Sequence, residues 1–316
     1  MPYIILMRAR CPICKKIDFI KVVSNCKENI PLTEKSYSYG KCLNCKVISQ
    51  FPTPDMPTIS KHYQFLNKEK EKNISNKKTL ALFFKIKDYY QNKKNIKNNL
   101  RNILKFWEKD YPYLHMIHGR KILDLGAGNG FFSLAAKEKG FDVISIEQNK
   151  SSINFAKLIG VKMIESDISS KISMKYASEV DNITMNHVFE HILEPYNFLS
   201  ILKKNISKHT KVFIIIPNAN SIWRYIFKEK WYGWDPPIHV HLYNKKALEI
   251  IIKNAGFKIV YLSSINRIDS FYAALMHAGK KPKYLKFILR LIIFPIQPFL
   301  KIFNLTPELL CIISKK

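Results

Sequence analysis

From residue 121 onward, short apolar runs recur, each closing on a polar or glycine-rich end. KILDL leads into Gly126, FDVISIE ends on Glu147, VKMIESD on Asp167, VDNITMN on Asn186, and KVFIIIP runs into Asn218. Weaker runs follow at Lys258 to Ser264 and Leu309 to Ser314. Runs of this length, rich in Ile and Val, read as buried strands. Between them lie segments with helical character, FFSLAAKEKG after the first run and Leu193 to Asn205 after the fourth. Strands alternating with helices predict an α/β fold, a doubly wound and mostly parallel seven-stranded sheet. In such sheets ligands bind outside the carboxyl ends of the strands. The polar residues that close the first four runs all fall there.

The most informative stretch is Lys121 to Gly130, KILDLGAGNG. A buried strand that turns through Gly126, Gly128 and Gly130 into a helix offers backbone N–H groups and a positive dipole end to a ligand. The spacing excludes a dinucleotide fingerprint, because the sixth place of G-x-G-x-x-G is Phe131 here. An acidic residue about 20 positions beyond such a turn is placed to bind ribose hydroxyls, and Glu147 holds that place.

The pattern D-x-G-x-G-x-G resembles the first motif of class I S-adenosylmethionine-dependent methyltransferases, which implies a Rossmann-like sheet and that cofactor. Two further segments carry the resemblance, HVFEHILEP (His187 to Pro195) and WYGWDPPIHVHLYNKKALEIIIKNAGF (Trp231 to Phe257). The second is similar to a segment of a bacterial subgroup associated with sugar and cell-surface polysaccharide pathways. One departure is visible, since the basic residue usual between the proline and the histidine is Ile238 here. The resemblance implies that Gly126, Ala127, Gly128 and Gly130 form the loop under the methionine and ribose, and that Asp124 ties the loop. It places Glu147 on the ribose hydroxyls, Asp167 and Ile168 beside the adenine with Gln148 opposite, and Asn186 at the methionine end. It implies methyl transfer, most simply to a hydroxyl of a saccharide or related small metabolite. A tRNA or protein acceptor is the alternative. A ketosugar C-methyltransferase fits less well, because Pro236-Pro237-Ile238-His239 stands where that group has Y-H-E-H.

A hydroxyl that accepts a methyl group must lose its proton, and histidine titrates in the right range for that work. His239, at the P-x-H position, is the first candidate, followed by His241 and His187. His191 follows Glu190 and suits a structural hydrogen bond equally well. Each of the four is also of the kind that serves folding alone.

The N-terminal part has a different character. Cys11-Pro-Ile-Cys14 and Cys42-Leu-Asn-Cys45 are two C-x-x-C knuckles, a spacing suited to tetrahedral Zn²⁺ held by four thiolates. Cys26, between them, reads as a small buried residue. Lys15 and Lys46 stand where glycine is usual, which raises the cost of each knuckle turn. A zinc-ribbon-like module over residues 1–50 is therefore expected, and such modules also accompany the resembling subgroup. FPTPDMPTIS, with three prolines in ten residues, reads as a stiff linker. Residues 51–118 form a linker and helical cap in this reading. Ile96, Leu100, Ile103, Leu104 and Trp107 recur at helical steps, with a shorter set at Leu80, Phe83 and Phe84. Tyr63 either packs in the core or reaches the cofactor. The methyltransferase domain is expected over 119–316.

Length and composition add limits. The 316 residues, 47% hydrophobic, can bury a substantial core and are not those of a disordered chain. No convincing leader and no apolar run of about 18 residues is present, so a cytoplasmic protein is the expectation. The formal charge of +28 suits nucleic acid or an anionic surface. Lysine is spread through every segment, however, without the aromatic pattern of a nucleic-acid groove. Residues 283–303 carry mostly apolar side chains interrupted by Pro295 and Pro298, an amphipathic insertion suited to a helical cap, a dimer contact or the membrane interface. A lipid-linked saccharide acceptor would make peripheral contact with the membrane coherent.

Overall fold

The computed structural model describes residues 6–8, 10–28, 35–74, 111–265 and 295–316. The apolar faces expected between Leu80 and Trp107 lie outside these residues, as do positions 283–294 of the expected insertion. Four strands open the chain: β1 (Leu6–Arg8), β2 (Asp18–Lys27), β3 (Ser36–Cys42) and β4 (Ile48–Phe51). Helix α1 (Met56–Ile74) follows. It begins inside the segment expected to be a stiff linker. Asp55 accepts the Thr58 N–H at 2.9 Å and caps the helix, and a proline at the second helical position costs no hydrogen bond.

From Lys121 strands and helices alternate as the apolar pattern requires. The order is β5 (Lys121–Leu125), α2 (Phe131–Glu138), β6 (Asp142–Glu147), α3 (Lys150–Leu158), β7 (Ile164–Glu165), α4 (Lys171–Ala177), β8 (Asn182–Asn186), α5 (Pro195–Asn205) and β9 (Lys211–Pro217). Next come α6 (Ile222–Phe227), β10 (His241–Leu242), α7 (Lys245–Asn254), β11 (Phe257–Ile265) and β12 (Glu308–Lys315). Asn149, Ser170 and Asn244 cap α3, α4 and α7 with side-chain oxygens.

The main sheet has seven strands in the order β11-β12-β9-β8-β5-β6-β7. β5 pairs in parallel with β6 and β8, and β9 extends the parallel set beside β8. The last strand, β12, inserts between β9 and β11 and runs antiparallel to both. This is the Rossmann-like, mostly parallel sheet that the sequence predicts. Alternate strand residues divide between two layers. Leu123, Ile183, Ile214 and Cys311 face α4, α5 and α7, while Ile122, Phe213 and Ile215 face Tyr113, Leu114 and α2. Both faces are therefore covered by apolar side chains, as a parallel sheet needs.

The second sheet has five strands, in the order β1-β2-β3-β4-β10. Its last strand comes from the far side of the sequence: His241 pairs with Ser49 and Leu242 with Ile48. The cysteine-bearing module and the α/β core thus share a sheet. Trp231, Trp234 and Leu242 pack with Tyr39 and Ile48, sealing that junction.

Candidate active site

The carboxyl ends of β5, β6, β8 and β9 converge on one edge of the main sheet. Gly126, Gly128 and Gly130 all have positive φ, at 69°, 54° and 80°. A side chain at Gly126 would meet Val188 at 2.6 Å, and one at Gly130 would meet Met163 at 2.8 Å. A side chain at Gly128 would meet nothing within 4 Å. The middle glycine therefore keeps a face open, while its neighbours are fixed by packing. Ala127 closes the turn by accepting the Gly130 N–H at 3.0 Å.

Glu147, at the end of β6, lies directly against this loop. One carboxylate oxygen accepts the Gly128 N–H at 2.8 Å, and the other accepts from the N–H groups of Gln148 and Asn149, both at 2.9 Å. Three backbone donors hold the carboxylate in place. Gln148 itself points to solvent, and Asp167 is exposed and turned on Ser169, whose N–H it accepts at 2.8 Å. Ile168 is partly buried against the main core.

Asp124 sits beneath the loop and is buried. It accepts from Ser133 at 2.7 Å and Thr184 at 2.9 Å, tying β5 to α2 and β8. Burial pushes its carboxyl up to about 6, against the downward pull of those hydroxyls. Asn186, at the end of β8, accepts a hydrogen bond from Tyr113, while its side-chain amide nitrogen is buried without a partner. The Asn129 side-chain oxygen is buried and unpartnered as well. Such groups are costly in a closed protein and mark places where a polar ligand would complete the bonding.

The hydrogen bonds of the four histidines separate their chemistry. His187, with φ of 55°, lies between two buried carboxylates, Glu190 at 3.2 Å and Glu308 at 3.3 Å. Burial opposes its charge, yet Glu308 and Glu190 outweigh it and raise its pKa to about 10. Both ring nitrogens donate, so no lone pair is left to accept a proton. His241 is fully buried, with Nδ1 at 2.9 Å from the Ser49 hydroxyl and Nε2 at 3.1 Å from the Leu193 carbonyl. A carbonyl only accepts, so Nε2 carries the proton and Nδ1 takes the serine hydroxyl. Burial pushes this ring down to about 4. His241 thus joins β10 to β4, and both of its nitrogens, like both of those of His187, are engaged by protein groups.

His239 and His191 differ. Each places Nδ1 at 2.8 Å from a backbone carbonyl, Gly233 for His239 and Ile238 for His191. Nδ1 is therefore the donor in both, and Nε2 keeps its lone pair. Burial lowers both pKa values and favours that neutral form. The rings lie 4.9 Å apart, and His239 Nε2 is 4.0 Å from the Glu190 carboxylate. Val188, packed on Gly126, connects this cluster to the glycine loop. The Tyr63 hydroxyl, on α1, has its pKa raised by burial first and then by the charges of Glu147, Asp235 and Glu190.

In the N-terminal module the four cysteines converge. The sulfur atoms of Cys11 and Cys45 are 3.6 Å apart and those of Cys14 and Cys42 are 3.5 Å apart, all four lying within 4.8 Å of one another. Tetrahedral zinc with bonds of about 2.3 Å would set its sulfurs about 3.8 Å apart. Lys15 and Lys46 adopt φ of 62° and 64°, the conformation glycine takes most cheaply. Each answers by donating its ammonium to a carbonyl of its own knuckle, Pro12 and Leu43.

A family model described as a methyltransferase domain matches residues 89–262, more than half of the chain. The chain belongs to the methyltransferase domain family. Among curated relatives, the ubiquinone biosynthesis O-methyltransferase of Acinetobacter baylyi is 23% identical over 108 residues, covering 32% of this chain and 45% of that protein. That of Aeromonas salmonicida is 26% identical over 109 residues, covering 33% and 46%. The chain thus spans about half the length of the curated relatives it matches. Among solved structures, a SAM-dependent methyltransferase from Archaeoglobus fulgidus aligns with a TM-score of 0.42 and 20% identity, covering 74% of this chain and 99% of that one. The O-methyltransferase of a trans-AT PKS multienzyme of Brevibacillus brevis, in complex with S-adenosyl-L-homocysteine, gives 0.43 and 14%, covering 72% and 79%.

This methyltransferase carries site residues that no local motif announces. Glu308 reaches the site because β12 runs antiparallel and pairs Glu308 with Pro217 at the carboxyl end of β9. Tyr113 arrives from the segment before β5 and contacts Asn186. The second cluster residue, His191, was visible in sequence beside Glu190. Its free Nε2 follows from the Ile238 carbonyl, 47 residues away.

Proposed function

We propose that the chain transfers a methyl group from S-adenosylmethionine to a hydroxyl of a saccharide or related small metabolite. The observation that carries this reading is the open face of Gly128 beneath a carboxylate, Glu147, pre-set by three backbone N–H groups. A buried-strand loop with that pair suits the ribose and methionine of the cofactor, and the unpartnered atoms of Asn129 and Asn186 supply further polar contacts. When bound, S-adenosylmethionine supplies an electrophilic methyl on a sulfonium.

The protein's tasks are then to align donor and acceptor and to provide for the hydroxyl's proton. Glu147 takes the ribose hydroxyls, Gly126 to Gly130 underlie the methionine and ribose, and Asp124 holds the loop through Ser133 and Thr184. Asp167 and Ile168 flank the adenine and Gln148 covers it from outside. Asn186 meets the methionine end. His239 is assigned to the acceptor's proton, because its Nε2 lone pair is free and its Nδ1–H is anchored on Gly233. The oxygen acceptor agrees with the names of the curated relatives, ubiquinone biosynthesis O-methyltransferases.

The four cysteine sulfurs, two pairs at 3.6 and 3.5 Å and all within 4.8 Å of one another, support structural Zn²⁺ in a ribbon-like module over residues 1–50, followed by a cap over 51–118 and the catalytic domain over 119–316. No helix among the described residues is long and apolar enough to cross a membrane. Exposed Phe299, Ile302 and Phe303, with Tyr225 and Ile226 on α6, support peripheral contact with a membrane carrying a lipid-linked acceptor.

The test is product formation. Purified protein is incubated with S-adenosylmethionine and, separately, sugar nucleotides, lipid-linked saccharides, phenols and tRNA. S-adenosylhomocysteine together with a product heavier by one methylene on oxygen, for a small hydroxylated acceptor, is expected. Turnover with tRNA alone would replace the acceptor class.

A further inference from the structure

We propose that Glu190, His191 and His239 form a binding site for a divalent transition-metal cation, the ion presenting open coordination positions to an oxygen of the acceptor. The three side chains bring one donor atom each to within 4.8 Å of one another. Two features mark them as ligands rather than as a packing accident. Each histidine donates its Nδ1–H to a backbone carbonyl at 2.8 Å, which fixes the tautomer and leaves Nε2 as the electron-pair donor. The Glu190 carboxylate is wholly buried, and its second oxygen has no hydrogen-bond partner. His239 Nε2 faces the first oxygen at 4.0 Å, the oxygen that His187 also contacts at 3.2 Å.

Ligand bonds of about 2.0 to 2.2 Å require the donor atoms to draw in by about 1 Å from their present spacing, a side-chain adjustment. Two imidazoles and one carboxylate leave further positions open, as sites that bind a substrate oxygen do.

The inference rests on the methyl-transfer reading only for its place on the acceptor's side. It changes how His239 acts. With the ion bound, the Nε2 lone pair would be committed to the metal, and the hydroxyl, acidified by coordination, would release its proton to water before the methyl is transferred to its oxygen, instead of giving it to the ring.

Manganese tests it, because Mn²⁺ prefers oxygen and imidazole to thiolate and so avoids the four cysteines. MnCl₂ is titrated into the full chain and free Mn²⁺ is followed by electron paramagnetic resonance. One saturable ion per chain is expected, with imidazole nitrogen couplings in the pulsed spectrum of the bound ion. Glu190→Gln and the partly exposed His191→Gln should each weaken binding at least about tenfold. No saturable ion, bound Mn²⁺ without nitrogen couplings, or unchanged affinity in His191→Gln would overturn the site. Calorimetry with S-adenosylmethionine on the same samples separates the two readings. Cofactor binding without Mn²⁺ binding removes the metal alone, and Mn²⁺ binding without cofactor binding removes methyl transfer alone.

Discussion

Replacing Gly128 by alanine should separate folding from ligand binding in a way its neighbours do not. Its φ of 54° puts any L-residue in the left-handed region, at a cost of about 1–2 kcal/mol. Alanine also reduces the freedom of the unfolded chain, which returns about 0.4–1 kcal/mol. The new methyl meets no atom within 4 Å, so no packing term is added and the net loss is about 1 kcal/mol. Gly130→Ala carries the same backbone cost and also crowds Met163 at 2.8 Å, Ala156 at 3.2 Å and Val161 at 3.3 Å. Overpacking of that kind adds about 1–3 kcal/mol, for a total of about 2–4 kcal/mol. The methyl at residue 128 enters the space above the loop, where the cofactor would lie against backbone. A tenfold or greater loss of affinity is expected, equivalent to about 1.4 kcal/mol or more. Urea denaturation measures the first quantity and titration calorimetry with S-adenosylmethionine the second. The reasoning fails if Gly128→Ala binds the cofactor as the unmodified chain does, or if it unfolds as readily as Gly130→Ala.

Other consequences can be measured more simply. The pKa of His187 is raised from 6.5 to about 10 in the folded chain. Its contribution to stability is complete below about pH 6.5 and fades as pH rises toward 10, because the folded state alone keeps the proton. Urea melts between those limits should show a decline that His187→Gln flattens, and equal slopes would refute the ion-paired imidazolium. Tyr39 donates its hydroxyl to the carbonyl of Trp234 at 2.6 Å and stands 3.1 Å from that of His239. Tyr39→Phe should cost about 1–2 kcal/mol in thermal or urea unfolding and lower turnover by loosening the His239 loop; unchanged turnover would detach the N-terminal module from catalysis. Extracting metal with a strong chelator, or Cys45→Ser, should lower the melting temperature, since the module's sheet continues through β10 into the α/β core. A chelator without effect would argue against structural zinc.

Much of the fold was legible because it is written locally. Apolar runs of strand length, each followed by a helix, predict the parallel sheet, and the alternating glycines with Glu147 mark the edge proposed to hold the cofactor. The cysteine spacing carried over equally well, with four sulfurs meeting from two distant knuckles. What sequence does not show depends on register or on long-range partners. His241 stands second to His239 as a candidate base by sequence, and in the fold it binds Ser49 and Leu193 through both nitrogens while His239 keeps Nε2 free. Glu308 was invisible until the antiparallel insertion of β12 brought it beside His187. The proline-rich segment after Phe51 reads as a linker by composition, but Asp55 turns it into a helix start. A histidine's role is decided by what its other nitrogen touches, and that is a property of the folded chain.

The central claim is that the edge formed by Gly126 to Gly130 and Glu147 holds S-adenosylmethionine. Titration calorimetry of the full chain with that compound, beside Glu147→Ala, tests it most directly. One equivalent should bind, with affinity at least about tenfold weaker once the carboxylate is removed. Absence of binding to the unmodified chain, or equal affinity in both proteins, would contradict the account.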